Sequence, residues 1–204
     1  VASLSGEVKH TFKKPTDWVL TNRFSPDGLL VATGDRFGGL FVCETESGEL
    51  FWNLRGHTGP VHGVAWDSDQ ETLLSAGADG KIRVWNMHHG ELTAQWDALV
   101  GGILTLGRSK GLTVAAGRSG KITAWRSPVA MVAEFQTDEQ IENVELLPNL
   151  DRMVASDASG KIHLLSLPDL KPISVVTLPK QERVMEELVS WSGQGLDLDQ
   201  MLGK

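Results

Sequence analysis

The segment SAGADGKIRVWN, residues 75–86, contains the clearest indication of the fold class. After a Gly-containing turn, apolar Ile82 and Val84 alternate with charged Lys81 and Arg83, which is typical of a β-hairpin with one buried face. The pattern recurs three times, as TGDRFGGLFVCE at residues 33–44, AAGRSGKITAWR at 115–126 and ASDASGKIHLLS at 155–166. The chain is therefore predicted to be a repeat protein.

The spacing of the four copies matches the length of a propeller blade. Their turn glycines are 42, 40 and 40 residues apart, at Gly38, Gly80, Gly120 and Gly160. About 40 residues is the length of one four-stranded blade. A large apolar residue stands nine positions before each hairpin and predicts a preceding strand, at Phe24, Trp66, Leu106 and Leu146. We therefore predict an all-β fold with four β-propeller blades.

The composition is typical of a soluble globular chain and argues against several classes of partner. The 204 residues are 41% hydrophobic and 22% charged. A net charge of −7 leaves no excess of Lys and Arg to neutralise a phosphate backbone, so we expect no nucleic-acid partner. No run of 18 apolar residues occurs, so no membrane span is expected. The single cysteine, Cys43, is expected to be a small buried hydrophobe.

Over roughly residues 5–178 the sequence resembles the WD-repeat family of β-propellers. The second copy has residues typical of that family at matching positions, namely His57, Ser75, Asp79 and Trp85. The resemblance implies that these side chains form a buried hydrogen-bond network with a structural role, and not a catalytic triad. The other copies have no Asp at the position of Asp79, so only the second blade is expected to hold the complete network; the residues there are Phe37, Ser119 and Ser159.

The repeat also predicts boundaries. The four blades are assigned to residues 13–57, 58–97, 98–137 and 138–179. Residues 1–12 are similar to the later segment SGELFWNL and are predicted to be the outer strand of a preceding blade. Residues 180–204 are predicted to be a C-terminal tail that forms an amphipathic helix or begins a fifth blade.

Four blades are fewer than the family resemblance implies for a complete ring. Most WD-repeat propellers close with about seven blades, which leaves no exposed edge between the first and the last. We therefore expect a larger propeller, completed by blades before residue 1, after residue 204 or on another chain, or by a second copy of this chain. The first and last blades of the chain are then both expected to present apolar flanks.

The sequence contains no pattern that indicates catalysis, a cofactor or a metal ion. The one strong set of Ser, His and Asp residues is explained by the blade network. His88 and His89 are adjacent in a predicted turn and point apart, and no Cys or carboxylate cluster joins them. We therefore expect a protein that is not an enzyme and that needs no cofactor.

Candidate partner-binding residues follow from the family resemblance. It implies that partners contact the residues four and six positions before each apolar anchor, and the residue before the Asp position. In this chain the candidates are Trp18, Leu20, Arg36, Pro60, His62, Arg118, Gln140 and Glu142. An exposed Trp beside an Arg is typical of an interface hot spot, whereas packing of Trp18 against a neighbouring blade is the alternative.

The expected function is a non-catalytic scaffold that binds a protein or peptide partner. The alternative is an accessory propeller module of a larger bacterial enzyme or c-type cytochrome redox protein. This alternative arises because PTDWVLTNRFSPDG, residues 15–28, resembles bacterial WD-repeat domains fused to cytochrome c domains. The haem attachment motif CxxCH does not occur in the sequence, so the compartment stays open between cytoplasm and periplasm.

Overall fold

The computed structural model describes Val8, Thr11 and residues 17–126, 130–147 and 149–177. These residues form sixteen β-strands in four antiparallel sheets of four strands each. No α-helix occurs among them, and so none that could cross a membrane. The predicted tail at 180–204 and the predicted outer strand at 1–12, except Val8 and Thr11, lie outside the described residues.

The strands follow the repeat along the chain. The first sheet consists of β1 (Val19–Phe24), β2 (Leu30–Asp35), β3 (Leu40–Glu44) and β4 (Leu50–Leu54). The second consists of β5 (Val61–Trp66), β6 (Thr72–Gly77), β7 (Lys81–Asn86) and β8 (Glu91–Asp97). The third consists of β9 (Ile103–Ser109), β10 (Leu112–Gly117), β11 (Lys121–Arg126) and β12 (Ala130–Gln136). The fourth consists of β13 (Ile141–Leu147), β14 (Arg152–Asp157), β15 (Lys161–Ser166) and β16 (Pro172–Thr177).

Within each sheet the strands lie side by side in chain order, and each repeated hairpin supplies the two middle strands. The first strands of the sheets, β1, β5, β9 and β13, pack against one another in that order. The sheets therefore surround a common axis with their first strands innermost, as the blades of a propeller do. The prediction of an all-β propeller fold with four blades is confirmed.

Apolar cores lie between neighbouring blades. We call the face of a blade that turns toward the next blade along the chain its trailing face, and the opposite face its leading face. Leu40 and Val42 on the trailing face of the first blade pack with Leu73 and Trp85 on the leading face of the second. Similar cores join the second blade to the third and the third to the fourth.

The second blade buries both of its faces, which corrects the expectation that its hairpin buries only one face. The alternating pattern of β7 assigns Arg83 to an exposed face, yet Arg83 is 4% exposed while its neighbour Ile82 is fully buried. The expectation is wrong because the second blade lies between two others, so both of its faces are removed from water. A charged residue at such a position must find a buried partner.

Close approach and polar contacts connect the innermost strands. A Cβ added at Gly63 of β5 would lie 2.6 Å from the Cβ of Leu106 on β9, so a side chain there would push these strands apart. Arg108 on β9 donates from Nε to Asp67, in the second blade, over 2.9 Å. Burial alone would raise the pKa of Asp67, but hydrogen bonds from Arg108 and Ser68 hold it below its usual value.

The two ends of the array differ in exposure. On the trailing face of the fourth blade, Val154, Ile162 and Leu164 are only half-buried and Val176 is 54% exposed. The leading face of the first blade is buried, as Cys43 shows, and burial raises the pKa of its thiol. The apolar flank of the first blade is therefore covered and that of the fourth is partly exposed, and the expectation that Cys43 is buried is confirmed.

Candidate functional site

A chain of hydrogen bonds connects four buried side chains of the second blade. His57 lies in the segment before β5 and contacts both carboxylate oxygens of Asp79 through Nδ1, each at 3.1 Å. Its Nε2 is 2.8 Å from Ser75 Oγ on β6, and Trp85 Nε1 on β7 donates to the same hydroxyl over 2.9 Å. The network thus connects the segment before β5, the hairpin turn and the two middle strands of the second blade.

Arg83 is a further member of this network. Its Nη1 donates to Asp79 over 2.8 Å and lies 2.7 Å from His57 Nδ1. Burial lowers the pKa of His57 and Arg83 lowers it further, against the opposing effect of Asp79. Burial would raise the pKa of Asp79, but Arg83 and His57 together hold it below its usual value. The network therefore contains a buried ion pair between Asp79 and Arg83 beside a neutral imidazole.

The fourth blade contains a different buried network. Asp157, the last residue of β14, lies 2.8 Å from Nε2 of His163 on β15 through Oδ2. Its Oδ1 accepts hydrogen bonds from the backbone N–H groups of Ser159 and Lys161, over 2.9 and 3.0 Å. Burial would raise the pKa of Asp157, but these contacts with His163, Ser159 and Lys161 lower it to about 2.

The candidate partner-binding residues lie at the end of the blades that carries the repeated hairpin turns, which we call the hairpin end. The carbonyl groups of Trp18, Pro60 and Gln140 accept backbone hydrogen bonds at the hairpin turn of their own blade, over 2.8 to 3.0 Å. The donors are the equivalent residues Arg36, Ala78 and Ala158. Trp18, Pro60 and Gln140 thus occupy the same position in the first, second and fourth blades.

Trp18 and Arg36 are in direct contact. The Arg36 guanidinium carbon lies 4.9 Å from the centroid of the Trp18 ring and 5.2 Å from that of Phe37. Asp17 accepts hydrogen bonds from Nε and Nη2 of Arg36, over 3.0 and 3.2 Å. Trp18 is 71% exposed and Phe37 is 75% exposed, so neither ring is packed away against a neighbouring blade.

Three other candidates line one cavity on the axis. Leu20 of β1, His62 of β5 and Glu142 of β13 contribute to a cavity of about 230 Å³ between the innermost strands. His62 Nε2 is buried and has no hydrogen-bond partner among the described residues. Burial lowers the pKa of His62, and the nearby charge of Arg118 lowers it further. Leu20, His62 and Glu142 therefore line one cavity at the axis, and Arg118 is near enough to His62 to affect its pKa.

Comparison with known proteins finds a family match that lies mainly in the second blade. A family model described as "WD domain, G-beta repeat" matches residues 48–86, the part that contains Ser75, Asp79 and Trp85. The meiotic recombination protein rec14 of Schizosaccharomyces pombe is 42% identical over 69 residues. WD repeat-containing protein 1 of Xenopus tropicalis is 34% identical over 82 residues. The WD-repeat match at residues 48–86 and the four four-stranded sheets together support a β-propeller of the WD-repeat kind.

The matches cover part of each WD-repeat protein. The alignments take in 33% and 39% of this chain, but only 22% of rec14 and 14% of WD repeat-containing protein 1. The solved structure of U3-55K aligns with a TM-score of 0.73 at 23% identity, over 79% of this chain and 50% of that chain. The aligned part of the chain thus spans less than a quarter of these curated relatives, so the comparison extends only to the repeat and the fold.

Sequence reasoning missed several residues that the WD-repeat motif does not include. The alternating pattern predicts an exposed Arg83, and the motif gives Phe37 no role beyond standing at the position of the missing Asp. Asp157 and His163 lie outside the motif positions. A usable signal was present, because Asp35 and Asp157 stand at the same place in two hairpins that lack the residue equivalent to Asp79.

Proposed function

We propose that this chain is a non-catalytic scaffold whose hairpin end binds a protein or peptide partner. The observation that carries the proposal is the exposed contact between Trp18 and Arg36 at the hairpin end. Large exposed aromatic rings next to an Arg are enriched at interface hot spots, because they provide contact area at a low cost in side-chain entropy. The candidates Pro60 and Gln140 lie at the same end, in the second and fourth blades.

The buried networks support a structural role for the Ser, His and Asp residues. The His57 side chain is 1% exposed and that of Asp79 is 6% exposed, so a substrate has no access to them. A nucleophile and its base must reach the reacting atom, and this arrangement leaves no room for one. Among the described residues, no group of three or more His, Cys, Asp and Glu side chains could hold a metal ion.

The proposal includes a larger propeller. In the second and third blades, Ile82 and Ile122 on the trailing face are completely buried by the next blade. The equivalent Ile162 of the fourth blade is only half-buried. We infer that a further blade covers this face, supplied by more of the same polypeptide, another chain or a second copy.

Site-specific photo-crosslinking tests the binding surface. A photoreactive residue is placed at Leu20 or Arg118 on the hairpin end, and at Leu29 or Leu150 in exposed turns at the opposite end as matched controls. We expect a discrete crosslinked partner from the first pair only, and a weaker product when Trp18→Ala is added. Equal products from both ends, or products mainly from Leu29 and Leu150, would overturn the proposal.

A further inference from the structure

The Arg36 side chain is held in one orientation. Asp17 engages two of its N–H groups, through Nε at 3.0 Å and Nη2 at 3.2 Å. The backbone N–H of Arg36 donates to the Trp18 carbonyl over 3.0 Å, which fixes the hairpin turn against the segment before β1. A guanidinium bound at two points to a carboxylate presents its remaining donors in fixed directions.

Exposed rings and unused donors lie side by side at this position. We call Asp17, Trp18, Arg36 and Phe37 the Trp18 platform. A guanidinium has five N–H groups, so three remain after the contacts with Asp17, and they bind no other described residue. The rings of Trp18 and Phe37 lie within about 5 Å of the same guanidinium and are mostly exposed. The platform therefore offers two apolar surfaces with hydrogen-bond donors between them.

The charges of the platform favour an uncharged hydrogen-bond acceptor on the partner. Partial burial alone would raise the pKa of Asp17, but hydrogen bonds from the Trp18 backbone N–H and from Arg36 keep it below its usual value. Asp17 is therefore ionised at neutral pH and compensates the charge of Arg36. A carboxylate from a partner would approach Arg36 against the repulsion of Asp17, whereas an uncharged carbonyl oxygen would not.

We propose that the Trp18 platform binds an extended, proline-containing segment of a partner that carries no net charge. Proline rings would pack on the Trp18 and Phe37 rings, and a backbone carbonyl between them would accept a hydrogen bond from Arg36. Polyproline II segments suit this surface because their carbonyl groups form no internal hydrogen bonds and little conformational entropy is lost on binding. This inference builds on the proposed scaffold function and names the chemistry of its partner.

Peptide binding to the chain tests the inference directly. Fluorescein-labelled decaproline is titrated with the protein and followed by fluorescence anisotropy, beside a labelled peptide in which alternate prolines are glutamate. We expect saturable binding of decaproline, weakened at least about fivefold by Trp18→Ala or Phe37→Ala. Phe51→Ala, at an exposed ring on the outer strand β4, is the matched control and should bind like the natural chain.

A variant of Arg36 and a salt titration test two further parts of the inference. Arg36→Lys keeps the charge but loses the two-point contact with Asp17, so we expect weaker binding of decaproline. Because the accepting carbonyl is neutral, raising NaCl from 0.1 to 1 M should change the affinity by less than about twofold. Thermal unfolding followed by circular dichroism verifies that each exposed-site variant is folded.

Three results would overturn the inference. These are no saturable binding of decaproline, equal binding by Trp18→Ala and the natural chain, or salt-sensitive binding that favours the glutamate-containing peptide. The last result would identify an acidic segment as the occupant. If decaproline fails while crosslinks from Leu20 and Arg118 persist, the partner chemistry is wrong and the scaffold function stands. If both fail, the scaffold function is wrong as well.

Discussion

Replacing Asp79 with Ala should destabilise the chain more than any comparable change at another hairpin turn. Asp79 accepts from Arg83 over 2.8 Å and contacts His57 at 3.1 Å, and its carboxylate also lies 3.2 Å from the backbone nitrogen of Lys81. The Arg83 and His57 side chains are 5% and 1% exposed. Removal of the carboxylate therefore leaves a cation and a polar ring in the core with no access to water.

The size of the effect follows from the charge that is left behind. Breaking a buried ion pair by removing one partner costs about 3–5 kcal/mol, more than the about 1–3 kcal/mol of an orphaned neutral group. Ser119 occupies the same position in the third blade, but it is exposed, and among the described residues its hydroxyl accepts only from the Lys121 backbone N–H, over 3.3 Å. Ser119→Ala should therefore cost no more than about 0.5 kcal/mol.

Urea unfolding followed by circular dichroism measures both losses. The double variant Asp79→Ala with Arg83→Met removes both charges, so we expect it to be more stable than Asp79→Ala alone. Equal losses for Asp79→Ala and Ser119→Ala would refute the argument that the second blade depends on a buried charge network that the third blade lacks. A double variant less stable than Asp79→Ala would show that Arg83 stabilises the blade without its partner.

Two further predictions concern the fourth blade. Because the pKa of Asp157 is lowered to about 2, its ionised form stabilises the fold above about pH 4, and this stabilisation of about 2 kcal/mol is lost as the pH falls toward 2. Urea titrations across this range should show the loss in the natural chain and a smaller one in Asp157→Asn. The open trailing face predicts that the chain alone self-associates at micromolar concentration, and that Leu164→Glu reduces this association in sedimentation velocity. A stable monomer of 22.2 kDa for the natural chain would contradict the inferred further blade.

The fold could be predicted because its signals are local and periodic. The hairpin pattern, the turn glycines and the near-constant period identify the blades without any knowledge of their contacts. The side chains of the second-blade network were also accessible, because their spacing matches a known motif. Contacts between blades were not accessible in this way: whether Arg83 or Ile162 is buried depends on the blade that covers it, and no periodicity within one hairpin specifies that neighbour.

The positions of the candidate binding residues could be predicted from the sequence, but the contacts that their side chains make could not. The resemblance selected Trp18 and Arg36, yet the ion pair with Asp17 and the second ring of Phe37 arise from the conformation of the turn. That Trp18 is exposed answers the alternative of packing against a neighbour. The placement of all eight candidates as partner contacts stays a prediction, as does the alternative of a module in a larger enzyme or cytochrome protein.

The hairpin turn of each blade needs a hydrogen-bond acceptor for one backbone N–H group, and the four blades supply it with different residues. In each hairpin a backbone N–H at the start of the second strand, or in the first blade one residue before it, has a nearby side-chain oxygen as acceptor, from Asp35, Asp79, Ser119 or Asp157. In the second and third blades this oxygen comes from the motif position, whereas in the first and fourth it comes from two residues earlier. The turn keeps its shape because an acceptor is present, and not because one residue type is kept. This explains why copies without the motif Asp still form blades, and why their turns can hold Arg36 and Arg118 at the hairpin end.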